Sequence, residues 1–160
     1  MTTALFPGSF DPFHKGHLEV VEGATTLFDR VVVGVIRNPQ KGEPLFPLAE
    51  RTQMLQESVV HLQGVRIVSM TGLVVDLARE VEATALLRGL RAVTDFELEM
   101  QMAQMNQQLS GIQTLFIPTS SSYSFVASRL LREVTRLGGD VTSLVPPPVA
   151  ARLKGRNLGP

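Results

Sequence analysis

Side chains that could carry out chemistry are concentrated near the start of the chain. Segment 7–17 reads PGSFDPFHKGH and lies between a predicted strand and a predicted helix, which places His14 and His17 at the start of that helix. The exposed N–H groups and the dipole of a helix N-terminus favour phosphate, and an imidazole adds a directed hydrogen-bond donor. We interpret this junction as a phosphate-binding site; the alternative is a tight loop with two surface histidines.

The same segment also raises the question of a metal site, because Asp11, His14 and His17 could supply three ligands. The glycine between the histidines and the absence of an H-E-x-x-H sequence argue against that use, so we predict no metal held by the protein alone. The chain has no G-x-G-x-x-G and no G-x-x-x-x-G-K-[ST] sequence either. These absences exclude the dinucleotide fingerprint of dehydrogenases and the P-loop.

Two arginines form a second candidate group, at the carboxyl end of a later strand. Arg88 and Arg91 flank Gly89 and Leu90, and the acidic residues Asp95, Glu97 and Glu99 follow on the next predicted helix. A guanidinium binds oxyanions through two parallel hydrogen bonds, so the pair suits two separate phosphates. The alternative is a network of arginine–carboxylate pairs on the surface.

Two further loops carry polar side chains. Loop 38–47 contains Lys41 beside Gly42, which is either a flexible phosphate ligand or a solvated lysine. Loop 118–124 is rich in hydroxyls and includes Tyr123, before a helix with Ser128, Arg129 and Arg132. Its hydroxyls are either N-caps or a phosphate cradle with Tyr123 available for stacking.

The elements that position these loops are short apolar runs alternating with helical periods. Strands are predicted at 4–6, 31–36, 65–70, 85–87 and 114–117, and their nearly continuous hydrophobicity is typical of strands covered on both faces. Between them, apolar residues recur every three or four positions and predict five helices, each with one buried face. The faces comprise Leu18, Val21, Thr25 and Phe28; Leu48, Thr52, Leu55, Val59 and Leu62; Leu73 or Val74, Leu77 and Val81; Leu98, Met102, Met105 and Leu109; and Val126, Leu130 or Leu131, Val134 and Leu137.

This alternation predicts an α/β fold of the Rossmann-like, doubly wound type. We expect a five-stranded parallel sheet with helices on both faces, formed by a single domain over residues 1–160. A short helix is expected around 149–153, and the last few residues are expected to fray. Ligands of such folds bind at the carboxyl ends of the strands, where all four groups of candidate residues lie.

Composition excludes several classes of protein. The 160 residues contain 15 basic and 15 acidic side chains, whereas an electrostatic nucleic-acid binder would have a basic excess. The chain has no cysteine, which excludes disulfides, thiolate metal sites and cysteine nucleophiles. No apolar stretch approaches a membrane span, and residues 1–14 lack the basic residues of a signal peptide. We therefore expect a cytoplasmic protein with neither nucleic-acid nor membrane partners.

With these residues in place, the sequence resembles the phosphopantetheine adenylyltransferases, within the nucleotidyltransferase superfamily that shares an H-x-G-H motif with class I tRNA synthetases. The resemblance spans nearly the whole chain, through PGSFDP followed by GH, RGLRAVTDFELEMQMAQMN, and the segment 123–133. It implies transfer of the adenylyl group of ATP to 4′-phosphopantetheine, giving dephospho-coenzyme A and pyrophosphate, with Mg²⁺ arriving on the nucleotide. It also implies a homo-oligomer, in that family a hexamer, and coenzyme A as a feedback ligand.

The resemblance further implies a role for individual residues. His17 would stabilise the transition state, with Lys41, Arg91 and Ser128 as further catalytic groups. Phosphopantetheine would be held by Ser9, Lys41, Val74 and Arg88. ATP would be held by Ser9, Phe10, His17, Gly89, Leu90, Arg91, Glu99, Tyr123, Ser124, Phe125, Val126, Ala127, Ser128 and Arg129.

One motif departs from the superfamily, and two other functions remain open. Where the superfamily has I-S-S-T-x-x-R, this chain has VASRLLR, so Ala127 and Arg129 replace hydroxyl residues and only Ser128 retains one. The alternative enzyme is another adenylyl- or cytidylyltransferase, for example one acting on nicotinate mononucleotide. A nucleotide sensor without turnover is a third hypothesis, which the intact pair of His14 and His17 disfavours.

Overall fold

The computed structural model describes residues 1–156 and contains a five-stranded sheet with helices on both faces. The predicted fraying concerns residues 157–160, which lie outside the described residues. The strands are β1 (Thr3–Gly8), β2 (Arg30–Ile36), β3 (Val65–Met70), β4 (Ala85–Leu90) and β5 (Gln113–Pro118). The helices are α1 (Lys15–Thr25), α2 (Leu48–Ser58), α3 (Val74–Glu80), α4 (Val93–Ser110), α5 (Ser128–Arg136) and α6 (Pro147–Lys154).

All strand pairs are parallel, and the order across the sheet is β3-β2-β1-β4-β5. Ala4 of β1 pairs with Val31 of β2 on one side and with Ala85 of β4 on the other. The strand order therefore reverses at β1, which makes the gap between β1 and β4 the switch point where such folds bind ligands. The predicted α/β architecture is confirmed.

The alternation of side chains along the strands divides the core into two layers. Ala4 and Phe6 point into the larger layer, which α1, α2, α5 and α6 cover, whereas Leu5 points into a smaller layer under α3. Both faces of β1 are therefore buried, as its continuous apolar sequence predicts. Two short 3-10 turns, Pro39–Lys41 and Thr142–Leu144, were not predicted.

The predicted buried face of α4 is wrong. Leu98, Met102, Met105 and Leu109 are 65%, 51%, 56% and 50% exposed, and α4 contains no buried residue within the described chain. The three- or four-residue spacing is present, but this helix packs on β4, β5 and α3 without any further layer of residues 1–156 over its apolar side. Periodic apolar residues predict that a helix has an apolar face, but they do not identify the element that packs against that face.

The predicted face of α5 is only partly correct. Leu131 and Val126 are buried, but Val134 is 41% exposed and Leu137, which caps the end of the helix, is 82% exposed. No helix among residues 1–156 has both the length and the apolar composition required to cross a membrane.

Candidate active site

The candidate residues from all four loops lie above the carboxyl ends of the strands. β1 leads into the segment with His14 and His17, while β4 ends in the segment from Arg88 to Arg91. Lys41 follows β2, and Tyr123 to Arg129 follow β5 and enter α5. The parallel topology thus gathers at one edge residues that are more than a hundred positions apart in the chain.

The start of α1 is built from the two histidines. His14 is the N-cap, and its Nδ1 accepts a hydrogen bond from the His17 backbone N–H at 3.3 Å. Nδ1 of His17 accepts in turn from the His14 backbone N–H at 3.2 Å, so the pair forms a capping box with imidazoles in place of hydroxyl and carboxylate. The two rings are stacked with their centroids 3.6 Å apart.

Gly16 is needed for this arrangement. A Cβ added at position 16 would lie 3.0 Å from both Cε1 and Nδ1 of the His14 ring, which is only 3% exposed and has little room to move. The glycine of the H-x-G-H sequence therefore leaves space for the stacked imidazoles.

Aromatic rings fix the orientation of His17. Phe13 stacks with the His17 ring at a centroid distance of 5.6 Å, and Phe10 meets that ring edge to face at 5.0 Å. Phe10 is 4% exposed and has a φ of 47°, a left-handed conformation that is rare for a bulky residue. Its ring covers Gly8, where a Cβ would lie 2.8 Å from the ring. The strained backbone at Phe10 is thus coupled to the position of the His17 ring.

Both histidines are neutral near pH 7. Burial, reinforced by the Arg91 cation, lowers the pKa of His14 to about 3. Burial also holds the pKa of His17 well below its ordinary value, and His14, Arg88, Arg91 and Lys41 add to this shift through their charge. Because Nδ1 of each ring accepts a hydrogen bond, Nε2 carries the proton. Each imidazole therefore offers one neutral N–H donor.

Arg88 is held in place by a carboxylate and a carbonyl. Its Nε and Nη2 donate to the two carboxylate oxygens of Glu99 at 2.7 and 2.6 Å, and its Nη1 donates to the Pro7 carbonyl at 2.6 Å. These bonds use three of the five N–H donors of an arginine, so two remain for a phosphate. Glu99 contacts the guanidinium, and in this position it orients Arg88.

Arg91 is oriented in the same way. Its Nε and Nη2 donate to the Asp95 carboxylate at 3.0 and 3.2 Å, and its Nη1 donates to the Val126 carbonyl at 2.8 Å. The arginine–carboxylate pairs considered from the sequence therefore exist, but they lie at the edge of the cleft beside His17 and leave donors free. The network and the phosphate interpretation are compatible.

Lys41 contributes an exposed cation to the same cleft. Neighbouring protein atoms desolvate the ammonium group in part, which lowers the pKa of Lys41 although the residue remains exposed. The Arg88 and Arg132 cations lower this pKa further, while Glu99 opposes them. Lys41 belongs to no ion pair within residues 1–156. Arg88, Arg91, Arg132 and Lys41 thus lie in one region. Of these, Arg132 and Lys41 belong to no ion pair within residues 1–156, so a positive excess remains that attracts polyphosphate.

The segment after β5 is anchored differently from the N-cap prediction. The N-cap of α5 is Ala127, which provides no side-chain hydrogen bond. Ser128 instead donates to the Pro12 carbonyl at 2.9 Å, and the Glu19 carboxylate of α1 accepts from the backbone N–H and the hydroxyl of Ser120 at 3.1 and 2.6 Å. Tyr123 lies beside the start of α1, with its Cβ 3.7 Å from the point that a Cβ at Gly16 would occupy.

The remaining residues of the predicted site lie along this edge as well. Val74 is the first residue of α3 and packs on the smaller core layer, after the end of β3. Gly89 brings β4 close to α1, because a Cβ there would lie 3.0 Å from Val20. Leu90 ends β4, Ser124 and Phe125 lie in the segment before α5, and Arg129 lies in the first turn of α5. Phe125 is 62% exposed.

Asp11, the acidic residue of segment 7–17, holds a neighbouring loop in place. The Asp11 carboxylate accepts the backbone N–H groups of Leu45 and Phe46 at 2.8 and 2.9 Å, which ties loop 38–47 to the segment after β1. Among residues 1–156 there is no group of three or more His, Asp or Glu side chains placed to hold a metal ion. Asp95 and Glu99 are likewise committed to arginines. The side chains present do not form a cage for a resident cation.

Sequence analysis assigned no role to two arginines of the site. Arg132 of α5 donates to the Asp11 carbonyl at 2.7 Å and lies close enough to Lys41 to lower its pKa. The sequence could have indicated Arg132, because it occupies the position of the arginine that ends the I-S-S-T-x-x-R signature. Arg51 is buried under the same loops and interrupts the apolar face of α2, a pattern that the sequence contains but that we did not interpret.

The chain matches known proteins over most of its length. A model of the cytidylyltransferase-like family matches residues 5–134. The chain is 47% identical over 154 residues to the phosphopantetheine adenylyltransferase of Heliobacterium modesticaldum (strain ATCC 51547 / Ice1), covering 96% of this chain and 91% of that protein. It also resembles the crystal structure of the lipopolysaccharide core biosynthesis protein from Thermoplasma volcanium GSS1, with a TM-score of 0.54, 24% identity, and coverage of 75% of this chain and 97% of that chain. This last likeness bears on the fold alone.

Proposed function

Because the chain belongs to the cytidylyltransferase-like family and, within it, to the phosphopantetheine adenylyltransferases, we propose that it transfers the adenylyl group of ATP to 4′-phosphopantetheine. The products are dephospho-coenzyme A and pyrophosphate, which places the enzyme in coenzyme A biosynthesis. The observation that carries this conclusion is the 47% identity to a phosphopantetheine adenylyltransferase over 96% of the chain. The alternative acceptor, nicotinate mononucleotide, is not favoured by this relationship.

The reaction that fits the cleft is a direct in-line displacement. A phosphate oxygen of phosphopantetheine forms a bond to the α-phosphorus of ATP, while the bond from that phosphorus to the bridging oxygen breaks and its electron pair leaves with pyrophosphate. The attacking phosphate is already an anion, so the step requires no strong general base. Catalysis then consists of positioning and of stabilising the charge that develops on the phosphates.

His17 is the residue we place at the α-phosphate. Its low pKa keeps the ring neutral, so it acts through the Nε2–H as a hydrogen-bond donor and not as a cation. The stack with Phe13 and His14 holds that donor in one orientation before substrate arrives. A donor fixed in advance stabilises developing charge without reorganisation during the reaction. Lys41, Arg91 and Ser128 remain further catalytic candidates.

We divide the site residues into two halves and assign one half to each substrate. On the acceptor side, Arg88 would bind the phosphate of phosphopantetheine through its two unused N–H donors, together with Ser9, Lys41 and Val74. On the nucleotide side, Arg91 would bind the ATP phosphates, together with Ser9, Phe10, Gly89, Leu90 and the segment 123–129. Glu99 acts in this scheme by orienting Arg88, which its bidentate contact supports.

Other ligands follow from the same assignment. We expect the nucleotide substrate to be MgATP, with the cation arriving on the triphosphate. Coenzyme A contains both an adenylate and a pantetheine part, so it would occupy both halves of the cleft and act as a feedback ligand. We expect the reaction to take place in the cytoplasm.

The exposed apolar face of α4 supports a homo-oligomer, with the hexamer of the family as the expected form. Four large apolar side chains on one helix are at least half exposed in the single chain. A patch of this kind on a biosynthetic enzyme marks an interaction surface.

The test of the function is mass spectrometry of the products formed from MgATP and 4′-phosphopantetheine. Dephospho-coenzyme A and pyrophosphate in equal amounts are the expected result. Nicotinate mononucleotide with ATP, and phosphopantetheine with CTP, serve as controls for the acceptor and the nucleotide. Preferential turnover of either control would reassign the substrate, and ATP binding without release of pyrophosphate would identify a sensor.

A further inference from the structure

A buried guanidinium lies beneath the active-site loops. Arg51 of α2 is 3% exposed and lies on the inward side of the helix with Met54 and Leu55. It belongs to none of the ion pairs formed within residues 1–156. Burying a charge without direct pairing is costly unless hydrogen bonds satisfy its donors. An apolar residue at this position would avoid that cost, so the guanidinium requires an explanation.

The hydrogen bonds of Arg51 connect three segments. Its Nε donates to the Phe46 carbonyl at 3.0 Å, and its Nη1 donates to the Ile36 carbonyl at 3.3 Å and to the Ser9 carbonyl. Ile36 ends β2 and Phe46 lies just before α2, so these two bonds hold both ends of the loop that contains Lys41.

The third acceptor belongs to the segment that holds His17. Ser9 directly precedes Phe10, whose ring packs edge to face on the His17 imidazole. Asp11 lies in the same segment as Ser9 and Phe10, and its carboxylate accepts the backbone N–H groups of Leu45 and Phe46 in the Lys41 loop. These bonds couple the two loops a second time. One guanidinium thus sets the distance between the loop of Lys41 and the loop of His17.

We propose that Arg51 is a positioning residue for adenylyl transfer, which holds the Lys41 loop and the Ser9–Phe10 turn in register across the cleft. It touches neither substrate and acts through the backbone carbonyls. The proposal rests on the proposed function for its reaction, but the hydrogen bonds on which it depends are features of the chain itself. Lysine cannot replace the guanidinium, because a single ammonium group lacks the planar fork that reaches separate acceptors.

The test compares Arg51→Lys with Arg152→Lys in the full chain. Arg152 donates to the Glu57 carboxylate and to the Pro148 carbonyl, so its guanidinium also anchors α2, but against α6. We expect Arg51→Lys to fold and to lose at least about tenfold in kcat with smaller changes in both KM values, because misplacement of groups by about an ångström costs orders of magnitude in rate. Arg152→Lys should keep the wild-type kcat.

Hydrogen exchange provides a readout that does not depend on turnover. Amides of segment 37–47 should exchange faster in Arg51→Lys than in the wild type, while the amides of β1 to β5 keep their protection. A folded Arg51→Lys variant with wild-type kcat would overturn the proposal. So would uniformly faster exchange, or failure of this variant to fold, because either result would assign Arg51 to global stability. Failure of the proposed function would be recognised separately, as absence of adenylyl transfer in the wild type.

Discussion

At the scale of single residues, the most informative feature is that both active-site histidines are neutral donors. The capping box fixes the tautomer and burial prevents protonation, so the catalytic contribution that we propose for His17 is a hydrogen bond directed at developing charge. The neighbouring cations Arg88, Arg91 and Lys41 already supply positive charge, so a neutral donor at His17 complements them.

We therefore predict that His17→Ala lowers kcat by about 10²–10³ with little change in the KM for ATP, the effect of losing one donor to a transition state. Steady-state kinetics, with circular dichroism to confirm folding, is the measurement. His61→Ala is the matched control, because the His61 side chain is 54% exposed and its Nε2 lies 3.6 Å from the carboxylate of Glu22, which is also exposed. Near-normal turnover of His17→Ala would refute the assignment.

The same reasoning predicts the dependence on pH. A histidine whose pKa is lowered in the folded state stays unprotonated as pH falls through the ordinary range of about 6.5. His17 should therefore cause no loss of the wild-type kcat as pH falls through about 6.5. An acidic limb near that pH, absent from His17→Ala, would show that His17 titrates at its ordinary pKa, whereas a loss of activity on the basic side, absent from the same variant, would indicate a functional imidazolium.

Arg88 and Arg91 are expected to serve different substrates. A charge-assisted hydrogen bond contributes about 1.5–3 kcal/mol, so Arg88→Ala should raise the KM for phosphopantetheine about ten- to a hundredfold and leave ATP nearly unaffected. Arg91→Ala should weaken the use of ATP more than that of the acceptor. Kinetic titration of each substrate against each variant is the measurement. If both variants impaired ATP alone, the acceptor phosphate would have to bind elsewhere.

At the scale of elements, the start of α1 shows how packing prepares the site. Two glycines of this helix offer a matched comparison, because a Cβ at Gly16 would contact the buried His14 ring at 3.0 Å, whereas a Cβ at Gly23 would have its nearest neighbour at 3.9 Å. The first position constrains the imidazole stack and the second does not.

Gly16→Ala should therefore lower kcat, because its methyl group displaces the His14 ring and with it the stacked His17. Gly23→Ala should keep full activity and gain about 0.4–1 kcal/mol of stability, since alanine reduces the freedom of the unfolded chain. Turnover and thermal unfolding of both variants check these expectations. Equal activity of the two would show that the stack tolerates displacement.

The elements also show how far the sequence could predict the structure. The five strands and the first five helices were predicted because each has a continuous or periodic apolar pattern, and the short last helix was expected around 149–153. Contacts between loops could not be predicted from the same signals. The carboxylate of Asp11 binds amides 34 and 35 residues away, and Glu99 pairs with Arg88 only because β4 and α4 fold back on each other. Such pairings depend on tertiary geometry that local periodicity does not encode.

At the scale of the whole molecule, the one clear failure of periodicity is α4. Its apolar spacing led to the prediction of an inward face, yet Leu98 and Met105 are 65% and 56% exposed. Exposing these apolar side chains to water is unfavourable. Burying them against an identical face would stabilise the assembly by about 25 cal/mol for each Å² of apolar surface that is removed from water. The pattern is accounted for if the covering element belongs to another copy of the chain, as the proposed homo-oligomer requires.

This assembly can be tested with a charge on the apolar face. Met105→Glu introduces a carboxylate where symmetric packing would bury it unpaired, a change that costs several kcal/mol per interface and should dissociate the oligomer. Light scattering after size-exclusion chromatography should give the mass of a smaller species for this variant and of a multimer for the wild type. Val60→Glu is the control, because Val60 is 83% exposed at the end of α2 and away from α4. A wild-type chain that is monomeric, or a Met105→Glu chain of unchanged mass, would show that the face of α4 does not hold the assembly together.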